Sequence, residues 1–439
     1  MSVAEADLDG VLDHAKLGSF QTVIIALCAL MIMIDGFATQ MIGLVAPAIA
    51  ADWGVPASAF GPVFGLGLLG GLVGALLLGS LGDRWGRKPM VLGCILLFAA
   101  VSLITPLVHT IGALILTRVV CGLGLGGALP NLLALTSEYA PKASRARVAS
   151  LMFCGYPLGS VLAGVISAQI IPDYGWASIF FISGLFPLVL LPVFALCVPE
   201  SVRFLVASGR DALAARILAR TNRQTRWNGF AGAHPAHGAS VAKLFSHGRA
   251  AGTLFLWLTM FVSLLLTIFM SSWLPLVATA GGIGMKSAVL ALSAFSIGGI
   301  AGCFMIGAFN RVAGQILPIA VSYGLGAVCV ALLGLTGRSG GLFLAASLVS
   351  GLFTVGAQMC TVGLLADFYD TRTRATGVGW GIGIGRIGGV VGPIVGGLFI
   401  SWGMSTQTLF LIAAGMSALA AAGIVAVGRV RGRAQSSSL

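Results

Sequence analysis

The sequence predicts an all-α membrane protein with twelve transmembrane helices in two pseudo-symmetric six-helix bundles. Three observations carry this expectation. Of 439 residues, 58% are hydrophobic and only 9% are charged, whereas a soluble domain carries about 25% charged residues. Apolar runs of bilayer length recur twelve times, and a helix needs about 20 apolar residues to cross the hydrocarbon core. Features of the first six runs reappear in the last six at a constant spacing. The 63 glycines fit closely packed membrane helices, whose backbones approach through small residues.

The runs fall at about 20–42, 58–81, 89–108, 110–137, 147–171 and 176–198, then at about 251–279, 287–309, 315–335, 342–366, 375–400 and 406–428. This divides the chain into an N-terminal segment 1–19, a six-helix bundle 20–198, a polar linker 199–250, a second bundle 251–428 and a tail 429–439. The N-terminal segment carries Glu5, Asp7, Asp9 and Asp13. It lacks the positive start of a signal peptide, so the first run reads as a retained span. Asp211 to Arg220 reads as a short amphipathic helix at the membrane surface.

Lysine and arginine set the orientation, because cytoplasmic loops of membrane proteins are enriched in them. With the N-terminus inside, 21 of the 25 lie in inner segments. Only Lys286 and Arg338 fall outside, and Arg118 and Arg386 fall within spans. Both termini are then cytoplasmic, in a bacterial-type inner membrane. The same bias accounts for the net charge of +12 without nucleic acid. The eight cysteines form no CxxC pair and read as small packing residues. The five histidines fall in loops or termini. No metal, cofactor or catalytic constellation is expected, and no GxxxxGK[ST] phosphate loop is present. The chain therefore reads as no enzyme and no ATP-driven pump.

Glu138 precedes Arg145 by seven residues, and Asp367 precedes Arg374 by seven, 229 residues later. Gly122 matches Gly351 and Gly127 matches Gly356 at the same offset. A parallel repeat of six spans implies a substrate site between the two bundles, near the bilayer midplane. Glu138 with Arg145, and Asp367 with Arg374, are expected to form inner-face ion pairs that break during alternating access. Solvated loop charge is the plainer alternative.

The loop after the second span reads Gly79-Ser-Leu-Gly-Asp83-Arg84-Trp-Gly86-Arg87-Lys88. Span 4 carries Arg118-x3-Gly122-x-Gly124-x-Gly126-Gly127, and Pro199-Glu200-Ser201-x-Arg203 follows span 6. Together these resemble the signatures of the major facilitator superfamily. The equivalent second-half loop, around Asn310 and Arg311, is degenerate. Asp83, Arg84 and Arg87 are expected to gate, with Asp83 accepting from a helix N-terminus or an arginine. Span 1 reads Asp35-Gly-Phe37-Ala38-Thr39-Gln40, and span 11 holds Gly377-x-Gly379-Trp380-x2-Gly383-x-Gly385-Arg386. Both are similar to the aromatic acid:proton symporters of benzoate and 4-hydroxybenzoate type. The resemblance implies import of an aromatic carboxylate with protons. One departure stands out: the family pattern has a second acid in span 1, where this chain has Ala38.

A charge inside a span is costly and is a functional hypothesis by default. Counting about 1.5 Å per residue places Asp35 roughly 22 Å and Arg118 roughly 18 Å from the inner face. The two are expected to meet, either as a proton site tuned by Arg118 or as a static ion pair. Arg386, roughly 16 Å in by the same rise, is the first choice for the substrate carboxylate, since a guanidinium fork matches it. Asp35 is the first choice for the proton. Phe37, Tyr156 and Trp380 are candidate walls for an aromatic ring. Thr39, Gln40 and Gln358 are candidate polar contacts, or simply bonds to neighbouring helices. The expected partners are a small aromatic carboxylate, protons and the lipid bilayer, and the expected state is a monomer. Two alternatives remain: a proton-independent organic-anion exchanger or facilitator, and a non-transporting receptor for aromatic acids.

Overall fold

The structure is a computed structural model that describes residues 18–221, 241–246, 249–336, 339–370 and 373–436. Twelve helices among the described residues are long and apolar enough to cross a membrane. In chain order the helices are α1 (Ser19–Trp53), α2 (Phe60–Trp85), α3 (Arg87–Ile104), α4 (Ile111–Tyr139), α5 (Lys142–Tyr174) and α6 (Ala177–Cys197). Two short helices follow, α7 (Val202–Ala207) and α8 (Asp211–Thr221). The last six are α9 (Ala250–Ala280), α10 (Met285–Ala313), α11 (Ile316–Leu333), α12 (Gly340–Phe368), α13 (Arg374–Ser401) and α14 (Thr406–Ser436). The α8 helix matches the expected amphipathic segment. Ala214 and Leu218 are buried, whereas Arg216 and Arg220 are exposed.

Helix ends follow local chemistry. Thr110 caps α4 by accepting from the Ala113 N–H at 3.3 Å. Ser201 caps α7 by accepting from Phe204 N–H at 3.1 Å. A capping hydroxyl satisfies one of the four N–H groups that a helix start leaves unpaired. Between α2 and α3 the chain reverses at Gly86, whose φ of 100° lies where a Cβ is strained.

By packing, the chain falls into two compact units. One comprises Met1–Ala38, Gly67–Gly159 and Ala177–Pro235; the other comprises Thr39–Leu66, Ser160–Trp176 and Ala236–Leu439. In the first, α2 and α4 cross with Gly70 against Val119, Gly74 against Leu123, and Gly122 against Gly67. In the second, α10 and α12 cross with Gly298 against Leu348, Gly302 against Leu352, and Gly351 against Phe295. Each first-helix residue is displaced by 228 positions and each second-helix residue by 229. A methyl on Gly70, Gly74, Gly122, Gly298, Gly302 or Gly351 would overlap the facing helix. The crossings are therefore one glycine-dependent packing used twice, and they give the sequence repeat a physical cause.

Candidate functional site

In the first unit, the α2–α3 turn, the end of α4 and the segment after α6 build one polar cluster. The Arg87 guanidinium pairs with Glu138 and lies 3.4 Å from Asp83. Glu138 is 4% exposed, and both its oxygens accept from the Ser201 hydroxyl, at 2.7 and 2.9 Å. Glu200 accepts from the backbone N–H of Arg87 at 3.0 Å and of Lys88 at 3.1 Å. It thereby places a carboxylate at the start of α3, where the helix dipole favours negative charge. Tyr139 donates to the Glu200 carbonyl at 2.6 Å, and the Lys88 ammonium to the Ala195 carbonyl at 2.5 Å. Asp83 is exposed and its partner is the arginine, as one of its two expected contacts; Arg84 is exposed.

The expected pairing of Glu138 with Arg145 falls on a side chain outside the described residues; among the described residues Glu138 is held by Arg87 and Ser201. α4 runs on to Tyr139, so Glu138 projects from its last turn into the protein instead of hanging in a loop. The expected pairing of Asp367 with Arg374, which is exposed, is not formed. Asp367 accepts from Gln315 Nε2 at 2.5 Å, while Arg249 pairs with Asp370 at 2.6 Å.

Gln315 and Asp367 are the repeat counterparts of Arg87 and Glu138 at offsets of 228 and 229. Gly314, the counterpart of Gly86, also has positive φ, at 76°. The degenerate loop thus keeps the turn and the contact but replaces an ion pair by an amide–carboxylate hydrogen bond. The glycine spacing alone could have revealed it.

Asp35 is half-buried on α1 at the edge of a small cavity of about 20 Å³. Met31, Ile34, Ile95, Phe98, Leu125 and Leu132 are among its walls. That is room for about one water molecule. Ala38, 3% exposed, belongs to the same hydrophobic core as Met31 and Ile34. Arg118, 5% exposed, is elsewhere. It donates to Thr105 Oγ1 at 2.9 Å and Cys121 Sγ at 3.4 Å, and stands 4.9 Å over the Phe180 ring, within cation–π range. Its Nε has no partner among the described residues.

The Asp35 cavity meets α4 at Leu125 to Leu132, at least about 10 Å along that helix from Arg118. The expected Asp35–Arg118 meeting is therefore not formed. α1 has 35 residues, about 52 Å of helix, well beyond a ~30 Å core. Counting from its start overstates depth. Phe37 and Tyr156 are half-buried, and α1 and α5 touch closely where Gly36 meets the Tyr156 backbone.

In the second unit, Arg386 is half-buried on α13 and has no hydrogen bond or ion pair among the described residues. Nearby glycines explain its presentation: Gly385, Gly388 and Gly392 lie tight against α9, which fixes the rotation of α13. Gln358 is half-buried on α12 and likewise has no hydrogen bond among the described residues; Thr39 and Gln40 are half-buried on α1. Trp380 is 48% exposed and stacks on Trp257, centroids 5.9 Å apart. It lies six positions before Arg386, which puts the two about 120° apart around the helix.

The family described as Major Facilitator Superfamily matches residues 28–341. The gallate transporter of Pseudomonas putida is 36% identical over 436 residues, covering 98% of this chain and 97% of that protein. The 4-hydroxybenzoate transporter of Pseudomonas aeruginosa is 34% identical, covering 98% and 97%. The 3-(3-hydroxy-phenyl)propionate transporter of Escherichia coli is 33% identical, covering 92% and 91%. A bacterial homologue of the human lysosomal transporter Spinster shares the fold, with TM-score 0.61 and 16% identity over 94% of this chain and 96% of that one. The twelve apolar helices, the doubled glycine crossing and full-length likeness to these proteins agree: the chain is a multi-pass membrane protein of the major facilitator superfamily, in the same family of transporters, not enzymes, as these relatives.

Proposed function

We propose that this chain is a secondary transporter that imports an aromatic carboxylate together with protons by alternating access. The observation that carries the reading is Arg386, a half-buried guanidinium on a membrane helix without a partner among the described residues. Such a charge is expensive in a membrane interior and calls for an anion. A carboxylate accepts two parallel N–H bonds from the guanidinium fork. The relatives' names point to the class of anion, since they carry gallate, 4-hydroxybenzoate and 3-(3-hydroxy-phenyl)propionate.

In this reading Asp35 carries the proton. Phe37, Tyr156 and Trp380 contact the ring, and Thr39, Gln40, Gln358 and Arg118 serve the substrate's polar groups. Asp83, Arg84, Arg87, Glu138, Arg145, Asp367 and Arg374 gate. The two sequence halves, 20–198 and 251–428, are the moving bundles. The chain works as a monomer in the inner membrane with both termini cytoplasmic, as the 21-to-2 distribution of positive charge supports.

Uptake of labelled gallate and hydroxybenzoates into proteoliposomes, with and without an inward pH gradient, tests the proposal. Gradient-dependent accumulation is expected. Uptake that ignores the gradient, in the unaltered chain and in Asp35→Asn alike, would favour the anion exchanger. Binding without uptake would favour a receptor.

A further inference from the structure

The crossing of α10 with α12 carries two thiols that the candidate site leaves unused. Cys303 on α10 and Cys360 on α12 are both half-buried. The backbones meet beside them: a methyl on Gly356 would overlap Gly302 and stand 3.0 Å from the Cys303 nitrogen. The Cys360 thiol donates to the Cys303 carbonyl at 3.7 Å, and the two thiols are within hydrogen-bonding reach of each other. Asn310 lies seven positions after Cys303, on the same face of α10. Its side chain reaches the Cys360 thiol, while its Oδ1 is buried without a hydrogen bond among the described residues. A buried acceptor left unpaired costs about 1–3 kcal/mol, which a ligand at that oxygen would relieve.

The other half of the chain shows that the crossing itself does not need this chemistry. The counterparts of Cys303 and Asn310 at offset 228 are Ala75 and Gly82, and the counterpart of Cys360 at 229 is Asn131. There the asparagine stands on α4, and its amide nitrogen donates to the Leu78 and Gly127 carbonyls at 3.3 and 2.9 Å. A methyl on Gly82 would overlap Asn131 Oδ1, so the facing position is left bare. One crossing is closed by an amide bonded to backbone. The other keeps the same glycines and brings two sulfurs and an amide oxygen together.

We propose that Cys303, Cys360 and Asn310 form a binding site for a thiophilic divalent cation of the zinc group, held by the two sulfurs and the amide oxygen. Thiolates are soft donors and select such an ion over magnesium or calcium, which prefer oxygen. Each thiol gives up its proton as its metal–sulfur bond forms. One divalent ion therefore replaces two protons, and the complex carries no net charge. Neutrality matters here, because a charge within a membrane span is costly. Asn310 Oδ1 adds a neutral donor and gains the partner it lacks. With three protein donors, the fourth position of a tetrahedral ion stays open to water. No three His, Cys, Asp or Glu side chains cluster among the described residues; the amide completes the set. The site lies within the second unit and does not depend on the transport reading.

Cd(II) titrated into the reduced, purified full chain tests the site, read by thiolate-to-cadmium charge-transfer absorption. One ion per chain is expected at the two sulfurs, with release of two protons. Cys303→Ser or Cys360→Ser should weaken binding by about 100-fold, and Asn310→Leu by about tenfold with the absorption retained. Cys329→Ser, which removes a half-buried thiol on α11, should change nothing. An unaltered titration in Cys303→Ser/Cys360→Ser would overturn the site and make the binding adventitious. Should the serine variants misassemble, the unaltered chain supplies a second reading. Cd(II) should slow N-ethylmaleimide modification of Cys303 and Cys360 several-fold but not that of Cys329, as peptide mass spectrometry reports. Modification of the pair at an unchanged rate would equally overturn the site.

Discussion

In the proposed reading Arg386 takes the anion and Asp35 the proton, and single substitutions separate the two. Replacing Arg386 by Met would remove the proposed contact to the substrate carboxylate, for which one charge-assisted hydrogen bond is worth about 1.5–3 kcal/mol. Half-saturation should rise by roughly 10- to 100-fold, the equivalent of 1.4 kcal/mol per decade. Arg386→Lys should recover only part of this, because an ammonium is a point charge without the fork. Equilibrium binding of labelled substrate measures both. Asp35→Asn should abolish accumulation driven by a pH gradient yet leave substrate-for-substrate exchange intact, which counterflow detects. Loss of counterflow as well would give Asp35 a structural role instead. Both residues were legible in the sequence because membrane charges are rare. Arg118 was equally legible as a charge but not as to partner. Its neighbours Thr105 and Phe180 belong to other segments, 13 and 62 positions away, and no local spacing points to them.

Among the elements, the turn from α2 to α3 is the most constrained. Gly86 has φ of 100°, and a methyl there would also crowd Phe204 and Glu200. Gly86→Ala should cost about 1–3 kcal/mol, visible as a lower thermal unfolding midpoint in detergent. Glu138→Ala should cost more, about 3–5 kcal/mol, because it leaves Arg87 and Ser201 around an emptied buried pair. The cost falls toward the lower end because the Arg87 side chain is 21% exposed. The parallel Asp367→Ala should cost under about 1.5 kcal/mol, since it removes an exposed hydrogen bond to a neutral amide. The comparison of the two midpoints checks whether the doubled latch is as unequal as its chemistry. The glycine spacing revealed this turn to a reader of the sequence, and Pro199-Glu200-Ser201 marked its partner. The role of Glu200 as the carboxylate at the start of α3 was hidden, because it bridges 113 positions. The seven-residue spacing from Asp367 to Arg374 misled for a related reason: a repeat conserves position, whereas the partner depends on where each helix stops.

At the scale of the whole molecule, the acid inventory limits how transport can be driven. The chain has 13 acidic residues, and among the described residues Asp35 is the one placed deep within a span; Asp52, Asp83, Glu138, Asp173 and Asp367 sit at or near helix ends. The position where the family pattern has a second acid is Ala38, packed in the core on the same face as Met31 and Ile34. If Asp35 carries the proton as proposed, one titrating carboxyl gives one proton per monoanionic substrate, and the net charge moved is then zero. A pH gradient of one unit supplies about 1.36 kcal/mol, so accumulation should approach tenfold per unit. A potassium diffusion potential at equal pH should drive none. Ala38→Asp changes both terms. A second carboxyl on the same face brings a second proton, so one positive charge crosses per cycle, and 100 mV then contributes about 2.3 kcal/mol. The variant should gain potential-driven uptake and exceed the unaltered chain under a combined gradient. It should also unfold at a lower temperature, because a polar group enters a site that is 3% exposed. Flux measured in valinomycin-treated proteoliposomes separates these outcomes. Potential-driven uptake by the unaltered chain would mean that a second proton travels by a group other than Asp35, and one of the helix-end acids would then have to titrate during the cycle.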